Sequence, residues 1–387
     1  MPVQATVFSR VLQHVPWGVF DRVVRSQRTD KGHRTLSARS HLAALLAGQL
    51  IEARGLRDIE AVMASHAPAL SRRAIEPICR STLADANAKR SPAAFEALIP
   101  ALLARLSPTK ARLAREDLRL LDSTLLRPGA QAAAWARFQC GQVAAKLHVV
   151  FDPQAAVPTF FELTSGNIND ITVAKKHMLL AAGATYVFDL GYYDYGFWAD
   201  LDARGCRFVT RLKKNTEPTV LEERPVEPNT NVTADRVVTL PPRQARSRKN
   251  PFGKPGRAIG VRLETGRHIT LFTNDLEGPA GEIAELYKAR WQIELFFRWI
   301  KQNLRIRSFL GRSYNAVRLQ IAAAIITYLL LMLMHRASQT NKSLSAFCAV
   351  LRAALFTRFE LCTLLKRSET PRTRQKNLPS QQLSFQI

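Results

Sequence analysis

The sequence predicts a mixed α/β protein preceded by an all-helical N-terminal domain, and three observations carry that expectation. Apolar residues recur at helical spacing up to about residue 105. From about 117 to 210, short strand-like runs give way to alternating strands and helices, the texture of a mixed sheet with helices packed on it. After a β-rich stretch the chain returns to helix, with one polar ridge on an otherwise apolar segment. With 387 residues and 47% hydrophobic composition, the chain is long and apolar enough for a full core.

Taken in order, residues 1–105 form the helical domain. In SARSHLAALLAGQLIEARGLRDIEAVM, Ser37 or Ser40 caps a helix and Gly55 breaks it. CRSTLADANAKR predicts a short helix capped by Ser81 or Thr82 and carrying Asn87, Lys89 and Arg90. Short helices with such residues are compatible with DNA recognition and about equally with plain packing, and the excess of basic over acidic residues in 1–105 tips the reading towards DNA binding. Residues 106–210 hold the first part of the sheet. LRLLDSTLL, AAKLHVVFD and TFFELTSG read as strands, DITVAKKHMLLAAG as a helix, TYVFDLG as a buried strand, YDYGFWADLDARG as a helix and CRFVTRL as a strand. Residues 211–275 form a β-rich insertion, with RVVTL, AIGVRLE and HITLFTN as edge or hairpin strands. Between Pro242 and Ala258 lie Arg243, Arg246, Arg248, Lys249, Lys254 and Arg257 with no acid among them. This predicts a mobile basic loop that gains from a polyanion, with Arg246, Arg248 and Lys249 as candidate phosphate contacts. Residues 276–350 are the helical second part of the core. The segment 351–387 is basic and proline-punctuated, and its tail from about 370 predicts disorder.

The charge balance narrows the function. Lys plus Arg number 56 against 31 Asp plus Glu, a net +25, and the usual counterion for such an excess is nucleic acid. The basic residues are scattered over several segments, which argues against a membrane-surface role. Five cysteines without a CxxC pair argue against a disulfide framework or zinc site and suit a reducing cytoplasm, and no signal-peptide pattern opens the chain. The uncharged run Ile321–Met334 is shorter than the roughly 20 residues a bilayer span needs and predicts a buried helix.

The candidate chemistry lies in three acids. In LYKARWQIELFFRWIKQNLRI, Tyr287, Arg290, Glu294, Arg298 and Lys301 fall within roughly 40° of Glu294 on a helical projection, while Ile293, Phe296, Phe297 and Ile300 occupy other faces. Salt bridges from Glu294 to its neighbours explain the glutamate but leave the other cations seeking anions, and phosphates would serve. Asp122 sits within an apolar strand and Asp189 at the end of another. Each is costly to bury uncompensated, and neighbouring carboxylates repel. A divalent cation removes that cost, and oxygen-only ligands select Mg²⁺ or Mn²⁺.

These residues carry a family resemblance. Tyr287-x2-Arg290-x3-Glu294-x6-Lys301 resembles the Tyr-Arg-Glu-Lys signature of DDE transposases of the insertion-sequence-four type, while LLDSTLL and VFDLGYYDY resemble that family's two aspartate regions. The resemblance runs over roughly residues 5–350. It implies an RNase H-like core split by the β-rich insertion, and cut-and-paste transposition by end binding, hydrolytic cleavage and 3′-hydroxyl strand transfer. It further implies two Mg²⁺ ions, replaceable by Mn²⁺, on Asp122, Asp189 and Glu294. Arg290 and Lys301 would hold phosphates and Tyr287 the backbone near the cut; Arg298 joins them from its place on the polar ridge. The implied partners are double-stranded transposon ends and target DNA, with a homodimer pairing two ends, in the cytoplasm and at the nucleoid. The alternatives are a catalytically silent DNA-binding derivative or a two-metal nuclease that only hydrolyses; retention of all three acids weighs against the first.

Other polar residues take plainer expectations. His148 and His177 read as surface or strand histidines, Asp194, Asp200 and Asp202 as an exposed helix face, and Asp152 as a turn. Asn167, Asn169 and Asp170 read as a turn and cap, and Trp291 and Trp299 as core.

Overall fold

The computed structural model describes residues 5–31, 35–106, 117–128, 132, 134–137, 143–178, 180–228, 230–245, 248–358, 363 and 365. The expected tail disorder and Arg246 fall outside these residues.

The N-terminal part is helical: α1 (Val7–Gln13), α2 (Trp17–Ser26), α3 (Ala38–Leu50), α4 (Leu56–Ser65), α5 (Ala67–Ser71), α6 (Arg80–Lys89), α7 (Ala93–Glu96) and α8 (Leu98–Leu106). Ser37 caps α3, its side chain accepting from the Ser40 amide, and Gly55 is the N-cap of α4. Every residue of α3 except Arg39 is buried, the polar Ser40, His41 and Gln49 included. Cys79, not Ser81 or Thr82, caps α6. Two of the three residues that made this helix a recognition candidate are structural. Asn87 is buried with its Oδ1 2.8 Å from His41 Nε2, and buried Arg90 donates to the Leu36 carbonyl beside Asp30.

One nine-stranded mixed sheet organises the rest, in the order β3-β2-β1-β4-β5-β11-β10-β7-β6. Its strands are β1 (Leu118–Leu126), β2 (Ala145–Asp152), β3 (Val157–Ser165), β4 (Thr185–Phe188), β5 (Arg207–Arg211), β6 (Thr219–Glu223), β7 (Val232–Thr239), β10 (Gly256–Arg262) and β11 (His268–Thr273), with β8 (Arg243–Ala245) and β9 (Arg248–Lys249) as a separate ribbon. β1, β2 and β3 are antiparallel neighbours, whereas β4 runs parallel to β1 and β5 parallel to β4. Helices α9 (Asp170–His177) and α10 (Tyr195–Ala203) form the crossovers; α9 is shorter than the segment expected to be helical. The stretch set apart as an insertion continues the same sheet, because β11 pairs antiparallel with β5.

The chain closes with α11 (Ala280–Ala289), α12 (Trp291–Asn303), α13 (Tyr314–Ser338) and α14 (Leu344–Ala353). α13 contains the expected buried run. It is long and apolar enough to cross a membrane, yet it packs inside the protein, against α3, α8 and α14 among others.

Candidate active site

Asp122 lies in the middle of β1, opposite Val149 of β2. Its Oδ1 accepts from the Ser123 amide at 2.7 Å. Asp189 follows the last residue of β4, next to β1 in the sheet. Its Oδ1 accepts from the Gly191 amide at 2.8 Å, capping a short 3-10 turn, Leu190–Tyr192. A Cβ on Gly191 would meet Asp170 Oδ2 at 2.9 Å and Asp189 Oδ1 at 3.0 Å, so any larger residue there would require the two carboxylates to shift.

Glu294 comes from the first turn of α12, which packs on β1. The helix expected to run unbroken through Tyr287 and Lys301 is two helices meeting at Arg290. That junction places the Arg290 guanidinium between two acids, 2.6 Å from Glu294 Oε1 and 3.7 Å from Asp122 Oδ2. Burial pushes the Asp122 carboxyl up to about 7. Repulsion from Asp189 and Glu294 adds to this, while the Ser123 amide and Arg290 oppose it.

The three acids are therefore electrostatic neighbours. Among the described residues, however, no three Asp, Glu, His or Cys side chains stand as a ready ligand cluster. The donor chemistry nevertheless fits a hard divalent cation: oxygen only and mutually repelling, with one carboxyl driven towards its neutral form by burial and by its acidic neighbours.

The cations of the polar ridge divide. Lys301 donates to Thr124 Oγ1 on β1, two residues from Asp122. Arg298 lies over the Trp291 ring at 5.7 Å. Trp291, expected in the core, is half exposed, since it opens α12 beside the site; Trp299 is partly buried and packs edge-on against Tyr328. Tyr287 packs near Arg290, Arg211 and Asp189, and burial pushes its hydroxyl pKa up.

Within the basic segment after Pro242, Arg243–Ala245 and Arg248–Lys249 pair as a two-stranded ribbon. The Gln244 side chain ties it to the core, accepting from the Tyr195 amide at 2.9 Å and donating to the Tyr193 carbonyl at 3.0 Å. Its cations are also less free than their spacing suggested. Arg257 is buried and holds Asp235 through two 2.6 Å bonds, Lys254 pairs with Asp202 at 2.7 Å, and Arg248 lies 3.7 Å from Asp194. Lys249 is exposed. Asp194 is thus no surface decoration: it caps α10 and pairs with Lys175 at 2.6 Å. Asp202 is likewise engaged, while Asp200 is exposed. Asp152 makes the expected turn, accepting from the Gln154 and Ala155 amides.

Sequence reasoning missed a group beneath the acids. His148 is fully buried, with Nε2 2.8 Å from Thr164 Oγ1 and Nδ1 3.3 Å from Asp170 Oδ1. Asp170 was expected to serve as part of a cap. Asn169 takes the cap position instead, and the Asp170 carboxylate turns inward. Burial pushes its pKa up, but the His148 and Ser123 side chains and the charge of Lys146 beside it outweigh this and hold it low. Tyr192 is buried close to Asp170, Asp122 and Asp189, and its hydroxyl finds no hydrogen-bond partner. The only advance signal was the density of polar residues after β3.

A basic chain whose acids are electrostatic neighbours on a mixed sheet beneath a helix fits the class of DNA-processing proteins, and comparison with known proteins specifies the family. The family model described as transposase DDE domain matches residues 114–330, and a domain of unknown function (DUF4372) matches residues 3–72. A Sinorhizobium fredii protein named as a transposase (y4zB) is 37% identical over 308 residues, covering 78% of this chain and 85% of that one. A Geobacillus stearothermophilus protein named as a transposase for insertion sequence element IS5377 is 32% identical over 241 residues, covering 61% and 62%. A piggyBac transposase synaptic complex with hairpin DNA is a distant likeness, at a TM-score of 0.37 and 10% identity over 67% of this chain and 55% of that one. The chain belongs to the DDE transposase family, and it is a transposase of the kind encoded by insertion sequences.

Proposed function

We propose that this transposase excises and inserts its element by a cut-and-paste route, with Asp122, Asp189 and Glu294 as the acids that hold two Mg²⁺ ions, Mn²⁺ substituting. The observation that carries this is the single guanidinium of Arg290 shared by strand-borne Asp122 and helix-borne Glu294, with Asp189 close enough to raise Asp122. When bound, such a pair of ions supplies activation of an attacking water or 3′-hydroxyl and charge neutralisation at the phosphodiester. The protein's own part is positional. Two neighbouring parallel strands fix the aspartates, and α12 brings the glutamate across. Arg290, Lys301 and Tyr287 border this place and are suited to the phosphates of a transposon end. Arg298, Arg248 and Lys249 lie further out as contacts to the flanking backbone, and Arg246 is assigned with them from sequence alone. Three antiparallel strands followed by two parallel ones support an RNase H-like core, here prolonged by the strands of residues 211–275.

The remaining assignments follow from this chemistry. The helical residues 1–105 contribute DNA binding, and residues 106–210 with 276–350 form the catalytic core. A homodimer pairs two ends of double-stranded DNA, in the cytoplasm and at the nucleoid. The test uses DNA carrying the sequence that flanks the coding region, with Mg²⁺. Asp122→Asn, Asp189→Asn and Glu294→Gln should each abolish strand cleavage while still binding that DNA. Near-normal cleavage by any of them removes that acid from the assignment.

A further inference from the structure

We propose that Asp170 is a positioning residue that locks the strand carrying Asp122 to the turn carrying Asp189; this rests on reading those two acids as the ion-holding pair. An acid in the first turn of a helix ordinarily complements the helix dipole from the surface. Asp170 sits in the first turn of α9, yet its carboxylate is mostly buried, pairs with β2 and lies beside two further elements. On β1 its neighbour is Ser123, the cross-strand partner of His148 and the residue whose amide holds Asp122 Oδ1, and the Ser123 side chain helps keep the Asp170 carboxyl ionised. On β2 it lies 3.2 Å from Lys146 Nζ and 3.3 Å from His148 Nδ1. At the turn after β4, its Oδ2 crowds the same face of Gly191 as Asp189 Oδ1 does.

Each partner is itself fixed. Lys146 donates to the Ile168 carbonyl at 3.0 Å, and His148 is anchored to Thr164. The result is a partly buried, charge-paired strut whose removal frees both the Ser123 hydroxyl and the Gly191 turn. Since acids that share an ion must keep their separation, a strut of this kind sets affinity for the ion without touching it. The Tyr192 hydroxyl is buried beside all three aspartates without a hydrogen-bond partner.

The experiment compares full-length wild type, Asp170→Asn, Ser123→Ala and Asp122→Asn. Mn²⁺ affinity is read from the paramagnetic resonance signal of the free ion. Melting temperature and binding to a random-sequence duplex, both in EDTA, report the fold. Asp170→Asn should bind Mn²⁺ roughly tenfold more weakly or worse, and Ser123→Ala should show a smaller loss in the same direction, with duplex binding in EDTA unchanged. Wild-type Mn²⁺ affinity in Asp170→Asn, alongside its loss in Asp122→Asn, overturns the strut. Wild-type affinity in Asp122→Asn overturns instead the reading beneath it. Should Asp170→Asn not fold, Ser123→Ala decides: unaltered Mn²⁺ affinity there also overturns the strut.

Discussion

Arg290 reaches Glu294 at 2.6 Å on its own helical face and Asp122 at 3.7 Å on the neighbouring strand, so one guanidinium spans the interface between α12 and the sheet. Lysine cannot reproduce this, because its ammonium is a single point charge where the fork serves two carboxylates. Arg290→Lys should therefore retain the fold but lose most strand cleavage. Arg290→Ala should in addition destabilise the protein by about 2–4 kcal/mol through two acids left without their partner. Denaturant unfolding and a cleavage assay on the same preparations separate the two effects; full cleavage by the lysine variant would remove the bridging role.

The raised pKa of Asp122 makes a prediction about pH. Its folded-state value of about 7 lies above the ordinary 3.8, so between these values the folded protein binds more protons than the unfolded chain. Stability from this group is lost as pH rises through that window. Asp122→Asn should match wild type near pH 4 in EDTA and become the more stable protein by pH 8. The difference is at most roughly 4 kcal/mol, or a few degrees in melting temperature. Added Mg²⁺ should raise the melting temperature of wild type at pH 8 and leave the variant unmoved. Equal melting curves across the range would show that Asp122 carries no such burden.

Lys301 contacts Thr124 on β1, which places its charge beside Asp122. If it also meets a phosphate, Lys301→Ala should weaken end binding and lower the slope of log affinity against log salt by about one. An unchanged slope with a lowered melting temperature would leave it a strut between α12 and β1.

Two cations of the basic segment should part company. Arg257→Ala leaves buried Asp235 unpaired and should cost about 3–5 kcal/mol, with no change in the salt slope of DNA binding. Lys254→Ala removes an exposed pair with Asp202 and should cost under about 1 kcal/mol. Comparable losses from both would contradict the burial difference between them.

Gly191→Ala adds a methyl between Asp170 and Asp189. Cleavage should fall further than stability does, read by parallel activity and melting measurements, because the methyl displaces the acids more than it disturbs the core.

Much of this was legible in the chain. Alternation and apolar runs marked β1 to β5, and helical spacing marked α3, α12 and α13, because those patterns record which side of an element is buried. Trp291 misled for the same reason: an aromatic on an amphipathic helix suggests core, and only the placement of α12 leaves it half exposed.

The amino-acid order by itself determined the element types, the basic character and the three acids that stand out against apolar surroundings, since each is a local or additive property. Only the tertiary structure decided that Arg257 and Arg90 are buried struts rather than free cations, that residues 211–275 prolong the central sheet, and that Asp170 faces inward between β1, β2 and the Asp189 turn. Those outcomes depend on which distant segments become neighbours, and strand order across a sheet leaves no periodic trace in any one strand.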